Sequence, residues 1–456
     1  MNDPLFSRLP LPSALLENLE RLEYLRMTPV QAQTLPQLLE GGDAVVRART
    51  GTGKTAAFGI AALCRLDPGR SDVQSLVLCP TRELAEQVTR ELRRLGRFIP
   101  NLKVLTLCGG SPLRPQQASL RHGAHIAVGT PGRLLQLLET GSLELSALRS
   151  LVIDEADRML DMGFSEAIEA VVAFAPKRRQ TLLFSATFPE GMEGLTALLQ
   201  EDAAIVKTEE ATEKIAIGET FYDVEAGEKH GALLRLLGRY RPERAIVFTN
   251  TKLGADLLAR ELRASGVGAL ALHGDLEQYE RTDVLVRFSN RSAPLLVATD
   301  VAARGLDIEG LDAVVNYDLP RTPAVYTHRI GRTGRAGASG SAWTLYTPEE
   351  RAEAETYRDG SRRFEPAPDW ELPESLPEAP NVTIVLEGGR KQKLRPGDLL
   401  GALSGEGGIP GPAVGRIDIY ERQSYVAVEK KYGDDAYDRL KSKGVKGRRF
   451  PLWLLE

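Results

Sequence analysis

The sequence is poor in the residues that staple small or extracellular proteins together. Only Cys64, Cys79 and Cys108 occur in 456 residues, with no CxxC pair. That argues against a disulfide scaffold or a cysteine zinc site and points to a reducing, cytoplasmic setting. The five histidines show no metal-ligand spacing. No stretch approaches the roughly 18 consecutive apolar residues of a membrane span, and Met1-Asn2-Asp3-Pro4 lacks the basic-then-apolar start of a secretory signal. A strong net charge is also missing: 58 Lys and Arg face 62 Asp and Glu, a net of -4. Affinity for a polyanion must therefore be sought locally. What remains, 42% hydrophobic and 26% charged residues, describes a globular chain whose length predicts two to three domains.

The charge is uneven. Residues 381–456 carry 14 Lys and Arg against 10 Asp and Glu, a net of +4, which leaves -8 for the rest. Before this basic tail, residues 364–380 are rich in proline and acid, the composition of an extended tether. A second soft boundary falls at Thr208-Glu209-Glu210. The expected division is 1–207, 208–355, a linker over 356–380, and 381–456. Within the first two parts, short β-rich runs such as Ser75-Leu76-Val77-Leu78-Cys79, Leu151-Val152-Ile153 and Ala245-Ile246-Val247-Phe248 alternate with amphipathic stretches such as Arg82 to Leu95. Buried strands joined by helices predict doubly wound α/β parallel sheets, which bind ligands at the carboxyl ends of their strands.

One such end carries Ala48-Arg49-Thr50-Gly51-Thr52-Gly53-Lys54-Thr55, between a strand at Asp43 to Arg47 and a helix from Thr55. Glycines turn backbone N–H groups toward phosphates and the helix N-terminus adds positive potential. Lys54 reaches the terminal phosphates and Thr55 can ligate magnesium. The first position is Ala48 rather than glycine, yet a plain glycine turn would explain neither Lys54-Thr55 nor the strand-then-helix context. About a hundred residues on, Leu151-Val152-Ile153 ends in Asp154-Glu155-Ala156-Asp157. An acid at that place holds Mg2+ in nucleotide hydrolases, and Glu155 beside it can orient and deprotonate water.

Asp-Glu-Ala-Asp is the name-giving motif of the DEAD-box RNA helicases, and the chain resembles that family from Phe6 to about Tyr346. The resemblance implies two RecA-like domains, ATP as cofactor, Asp154 as magnesium ligand through water and Glu155 as base. It makes Gln31, in Tyr24-Leu25-Arg26-Met27-Thr28-Pro29-Val30-Gln31, the reader of adenine, and Phe6 the aromatic stacked on it. A glutamine amide offers the donor and acceptor that adenine's edge requires. Glu23 stands where the family has glycine. The second domain has no phosphate loop, but His328-Arg329-Ile330-Gly331-Arg332-Thr333-Gly334-Arg335 resembles the family's last motif. This implies that Arg332 and Arg335 are arginine fingers, guanidiniums that stabilise charge during phosphoryl transfer. Asp307 resembles the ribose contact and Ser185-Ala186-Thr187 the motif linking hydrolysis to strand separation.

Further short motifs follow strands in family order. Arg82, Gly110, Thr130 and Arg133 in the first domain, and Thr249 to Lys252, Gln278, Arg281 and Thr299 in the second, resemble the RNA track. Singly, each suits a helix cap or turn. Together they offer hydroxyls, helix N-termini and charge to phosphates, which implies RNA binding without sequence preference.

The tail reads strand–helix–strand–strand–helix–strand, the order of a small α+β, ferredoxin-like RNA recognition motif. Tyr420 and Tyr425 are present, but the full aromatic signature of the sheet is not. The basic residues Lys391, Lys393, Arg395, Lys446, Arg448 and Arg449 are the other route to RNA, and a solvated surface on a dimerisation domain is the alternative reading. Gly388-Gly389-Arg390-Lys391 and Arg395-Pro396-Gly397-Asp398-Leu399-Leu400-Gly401-Ala402-Leu403 resemble the DbpA branch of bacterial DEAD-box proteins. That likeness implies large-subunit ribosomal RNA as partner and ribosome assembly as the setting.

Overall fold

The structure is a computed structural model describing residues 4–48, 51–188, 192–197, 203–207, 217–303, 311–334, 340–372 and 375–455. The described residues form two compact units, the first ending at 207 and the second beginning at 217.

In the first unit, β1 (Ala44–Arg47), β2 (Ser75–Leu78), β3 (Val104–Leu107), β4 (Ile126–Gly129), β5 (Ser150–Ile153), β6 (Gln180–Ser185) and β7 (Ala204–Lys207) make one sheet. All neighbours are parallel, in the order β3-β4-β2-β5-β6-β1-β7. β2, β4, β5 and β6 are buried along their whole length, as expected where helices cover both faces. Alternation then splits the core in two: Val46, Val77, Val152 and Phe184 pack on one side of the sheet, while Val45, Leu76, Leu78 and Ile153 pack on the other.

The second unit repeats this plan with β8 (Ile217–Asp223), β9 (Ala245–Thr249), β10 (Ala269–Leu272), β11 (Leu295–Thr299), β12 (Ala313–Asn316), β13 (Gly340–Tyr346) and β14 (Arg363–Pro366). Its order is β10-β11-β9-β12-β13-β8-β14, again parallel throughout. Strand β14 lies inside the stretch expected to be an unpacked linker, and this corrects that expectation. Phe364 stacks on Phe221 with centroids 4.7 Å apart and planes at 11°. Trp370 meets Tyr240 edge-on at 6.1 Å and accepts a 2.7 Å hydrogen bond from Arg235 Nε at its carbonyl. Proline forbids a helix there, yet it is tolerated on an edge strand. The two aromatics supply the burial that composition alone concealed.

The tail forms β15 (Asn381–Leu386), β16 (Val414–Ile419), β17 (Ser424–Glu429) and β18 (Leu452–Leu455), antiparallel in the order β16-β17-β15-β18. Helices Pro396–Ser404 and Gly433–Lys443 cover one face, where Leu399, Leu403, Ala436 and Leu440 meet Ile384, Leu386, Val426 and Val428. The other face belongs to the second unit's own packing: Val385 and Tyr425 close over Val286 of the Gln278–Ser289 helix. Asn290, at that helix's C-terminal end, donates to Thr383 Oγ1 at 2.9 Å, and Thr383 donates to Ser292 Oγ at 2.8 Å.

Candidate active site and nucleic-acid interface

Sheet order assembles the motifs. On the first unit, the glycine-rich loop follows β1, Asp154 follows β5 and Ser185 ends β6, three strands that are adjacent as β5-β6-β1. Thr81 follows β2, Gly110 follows β3 and Thr130 follows β4, and these strands form the neighbouring block β3-β4-β2. The phosphate-type and RNA-type motifs therefore occupy adjoining stretches of one carboxyl edge.

At the loop, Gly53 has φ +89 and begins the Lys54–Cys64 helix. That φ strains any L side chain, and a Cβ there would also approach Gln31 Nε2 to 2.5 Å, so glycine is favoured. Gln31 is 3% exposed. Its Nε2 donates to Gly53 O at 3.1 Å, its Oε1 accepts from Thr28 N at 2.8 Å, and Thr28 Oγ1 donates to Thr52 O at 2.7 Å. The amide thus ties helix cap to loop and keeps one donor and one acceptor position for a ligand. Lys54 is buried with Nζ donating to Ala48 O at 2.9 Å, and Thr55 is half-buried on the next turn position. Arg49 and Thr50 lie outside the described residues. Phe6 is 2% exposed and packs in the core 6.5 Å from the Tyr24 ring.

Asp154 is buried, and desolvation together with Glu155 next door pushes its carboxyl up to about 7 although Lys54 pulls it down. A buried carboxylate in this state favours a nearby cation. Glu155 N donates to Asp154 Oδ1 at 3.0 Å. The Glu155 side chain is paired with Arg158, Nη1 to Oε2 at 2.6 Å. Asp157 receives 2.8 Å bonds from Thr187 N and Oγ1, and its own N donates to Ser185 Oγ at 3.2 Å. Burial alone would raise the Asp157 pKa, but these hydroxyl and amide donors bring it below the ordinary value. Among the described residues no group of three or more His, Cys, Asp or Glu is placed to hold a metal.

Along the neighbouring block, Thr81 caps the Arg82–Leu95 helix by accepting from Leu84 N at 3.3 Å. Arg82 is engaged with Glu86 at 2.8 Å. Gly110 has φ +70 and is exposed. Thr130 Oγ1 accepts from Gly109 N at 3.4 Å, and Arg133 Nη2 donates to Ser111 O at 3.0 Å. Arg133 Nη1 is buried without a hydrogen-bond partner among the described residues.

The second unit gathers its motifs the same way, on β10-β11-β9. Arg281 Nη2 donates to Ala302 O at 2.7 Å, joining the Gln278–Ser289 helix to the segment after Thr299, itself 8% exposed. Sequence reasoning missed the hub of this unit. Arg329 is 1% exposed and grips Asp300 with Nε and Nη2, both at 2.7 Å. It also donates to Asn250 Oδ1, Asn316 Oδ1 and Asp318 O, and lies 5.0 Å from the Phe248 ring centroid. Arg332 is buried, while Asp307 and Arg335 lie outside the described residues.

On the tail, Tyr425 is 1% exposed, its hydroxyl donating to Asp283 Oδ1 at 2.7 Å, and Tyr420 meets it edge-on at 5.4 Å. A base cannot stack on Tyr425 in this structure. The basic candidates lie elsewhere. Lys391, Lys393, Arg395, Lys446, Arg448 and Arg449 are all exposed. Lys446 Nζ donates to Lys393 O at 3.2 Å and pairs with Asp398 at 2.7 Å, which holds the 390–395 and 445–449 loops together.

Comparison with known proteins agrees with this layout. Residues 28–195 match the DEAD/DEAH box helicase family, 228–337 the helicase conserved C-terminal domain and 383–453 the DbpA RNA binding domain. The chain is 48% identical over 451 residues to the ATP-dependent RNA helicase DbpA of Escherichia coli, covering 98% of each. It is 43% identical over 346 residues to the DEAD-box helicase CshA of Geobacillus kaustophilus, covering 76% of this chain and 74% of the relative. Among solved structures, Saccharomyces cerevisiae Dbp5 bound to RNA and ADP BeF3 superposes with TM-score 0.72 at 31% identity, over 80% of this chain and 97% of that one. Mss116p bound to ssRNA and AMP-PNP follows at 0.70 and 28%, over 79% and 78%. With two parallel-sheet units carrying the motifs and a third domain of matching type, the chain belongs to the DEAD-box ATP-dependent RNA helicases, and within them to the DbpA type.

Proposed function

We propose that the protein is an RNA-stimulated ATPase that opens short RNA duplexes locally, and that its tail directs it to large-subunit ribosomal RNA during ribosome assembly. The observation carrying the first part is the adjoining of the two motif blocks on one sheet edge, so that one rigid element carries nucleotide and RNA ligands together. Dbp5 and Mss116p, each with RNA and a nucleotide analogue bound, support it. The basic loop pair of the tail, net +4 over 381–456, supports RNA as its ligand.

In this reading the backbone N–H groups around Gly51 to Gly53 and Lys54 bind the phosphates. Gln31 discriminates adenine through its remaining donor and acceptor. Thr55 and Asp154 would hold Mg2+, and the buried, desolvated carboxylate of Asp154 fits a hard cation. When bound, the ion supplies positive charge against the phosphate oxygens. Glu155 orients the attacking water and takes its proton, while Arg332 and Arg335 stabilise charge on the transferring phosphoryl group. The Asp157–Thr187 hydrogen bonds connect this chemistry to the strand carrying Ser185. At about 1–2 kcal/mol per stacked step, the figure for DNA, prying apart a few base pairs is within reach of such a cycle.

The test is ATPase stimulation by large-subunit ribosomal RNA against an unrelated structured RNA of equal length, with strand displacement read in parallel. Selective stimulation with displacement is expected. Equal stimulation would leave a general remodeller of RNA, and stimulation without displacement an ATP-gated clamp.

A further inference from the structure

We infer that Arg158 is the positioning residue of Glu155, fixing the carboxylate that activates water. The inference rests on Glu155 acting as the base and goes one residue beyond it. Glu155 has φ +54, a left-handed conformation that non-glycine residues keep only when their surroundings hold them there. Two contacts do so. The backbone N–H is tied to Asp154 Oδ1 at 3.0 Å. The side chain is tied to Arg158 Nη1 at 2.6 Å, with the two side chains only 8% and 5% exposed.

The pair is local and dry. Arg158 follows Glu155 by three residues, on the short helix Ala156–Asp161 that begins directly after it. The helix is anchored in turn, because neighbouring Asp157 is bonded to Ser185 and Thr187. Arg158 therefore sits on a fixed base. Its guanidinium occupies Oε2 of Glu155, so Oε1 retains its lone pairs for the proton of a water molecule. A base held by a third group is the recurring logic of activated-nucleophile sites. Without that group the carboxylate is free to rotate, and a displacement of about 1 Å at a reacting centre is enough to cost orders of magnitude.

The experiment compares wild type, Arg158→Met, Arg158→Lys, Glu155→Gln and the Arg158→Met/Glu155→Gln double variant in the full chain. Steady-state RNA-stimulated ATP hydrolysis is read with RNA affinity and thermal unfolding alongside. Arg158→Met keeps most of the side-chain volume and removes the charge. It should lower kcat at least about tenfold while KM for ATP and Kd for RNA stay nearly unchanged. Arg158→Lys should restore most of the loss. In the double variant Arg158→Met should add nothing, because the group it positions is already gone. Should Arg158→Met fail to fold, Arg158→Gln takes its place with the same expectations. Unchanged or faster turnover in the charge-free variant would overturn the assignment, the latter marking a brake. So would a loss that multiplies fully onto Glu155→Gln, or one that tracks RNA affinity and unfolding. Wild-type turnover in Glu155→Gln would instead remove the base itself, and the positioning role with it.

Discussion

Tyr425 of the C-terminal sheet donates its hydroxyl to Asp283 of the Gln278–Ser289 helix across 2.7 Å, and the two groups seal the sheet face that RNA recognition motifs offer to bases. Burial raises the Asp283 carboxyl above its ordinary value, the Tyr425 hydroxyl and Arg287 pull it partly back, and Glu280 adds a small upward push. A carboxyl whose folded pKa is raised binds protons more tightly in the folded state. Its contribution is complete below the unfolded value near 3.8 and is lost as pH rises through the folded value. Asp283→Asn, neutral at every pH and able to accept from Tyr425, should therefore flatten the stability–pH curve just above pH 3.8. Denaturant unfolding at a series of pH values reads this directly, and parallel curves for both proteins would contradict it.

If the sheet face is closed, the tail's affinity for RNA should be electrostatic and reside in its loops. With roughly five phosphate contacts, log affinity falls with log salt at a slope near -4. Replacing both Arg448 and Arg449 by alanine should bring the slope to about -2, whereas Tyr425→Phe should leave it alone. Filter binding across a salt series distinguishes the two. An unchanged slope in the double variant would mean that these exposed arginines meet no phosphate.

Much of this architecture was legible in the chain. The expected strands at Ser75 to Cys79, Leu151 to Ile153 and Ala245 to Phe248 differ by one residue from those observed, because apolar β-rich runs ending in polar residues are what a strand buried on both faces requires. The Arg82–Leu95 helix was visible for the corresponding reason, a strong apolar stripe with a threonine cap. What escaped depends on placement in space. Phe364 and Trp370 were masked by their proline and acid neighbours, although two aromatics in such a segment were a usable signal. Arg158 directly followed a motif already read, and Arg329 stood inside one. Their partners Glu155 and Asp300 are identified only once the chain is folded, for an arginine run reads the same whether it is solvated or buried.

Arg329 makes that difference measurable. Its guanidinium joins Asp300, Asn250, Asn316 and Asp318, and so fastens three separate loops of the second unit to one group. Arg329→Ala leaves Asp300 without its partner and should cost about 3 kcal/mol of stability. Arg329→Lys should recover little, since an ammonium cannot reproduce the planar fork that engages both Asp300 oxygens. Denaturant midpoints of the three proteins check this. Equal midpoints for wild type and lysine would show that charge alone suffices.

Gln31 offers the sharpest separation between fold and ligand. Its amide already spends one donor on Gly53 and one acceptor on Thr28, so a single donor and a single acceptor remain to match adenine. Gln31→Glu keeps the size and the acceptor toward Thr28 N but replaces the donor to Gly53 O by a second oxygen. The loop loses its tie and the nucleotide loses its donor. At about 1–1.5 kcal/mol for each hydrogen bond and 1.4 kcal/mol per tenfold, KM for ATP should rise by one to two orders of magnitude. Discrimination between ATP and GTP should shrink as well, because the guanine edge presents donor and acceptor in the opposite sense. Thermal unfolding should change far less, since the Pro29–Glu40 helix retains the Thr28 cap. Competition of ATP with GTP in the hydrolysis assay decides the matter: a raised KM with selectivity intact would confine Gln31 to holding the loop, whereas loss of both assigns it the base as well.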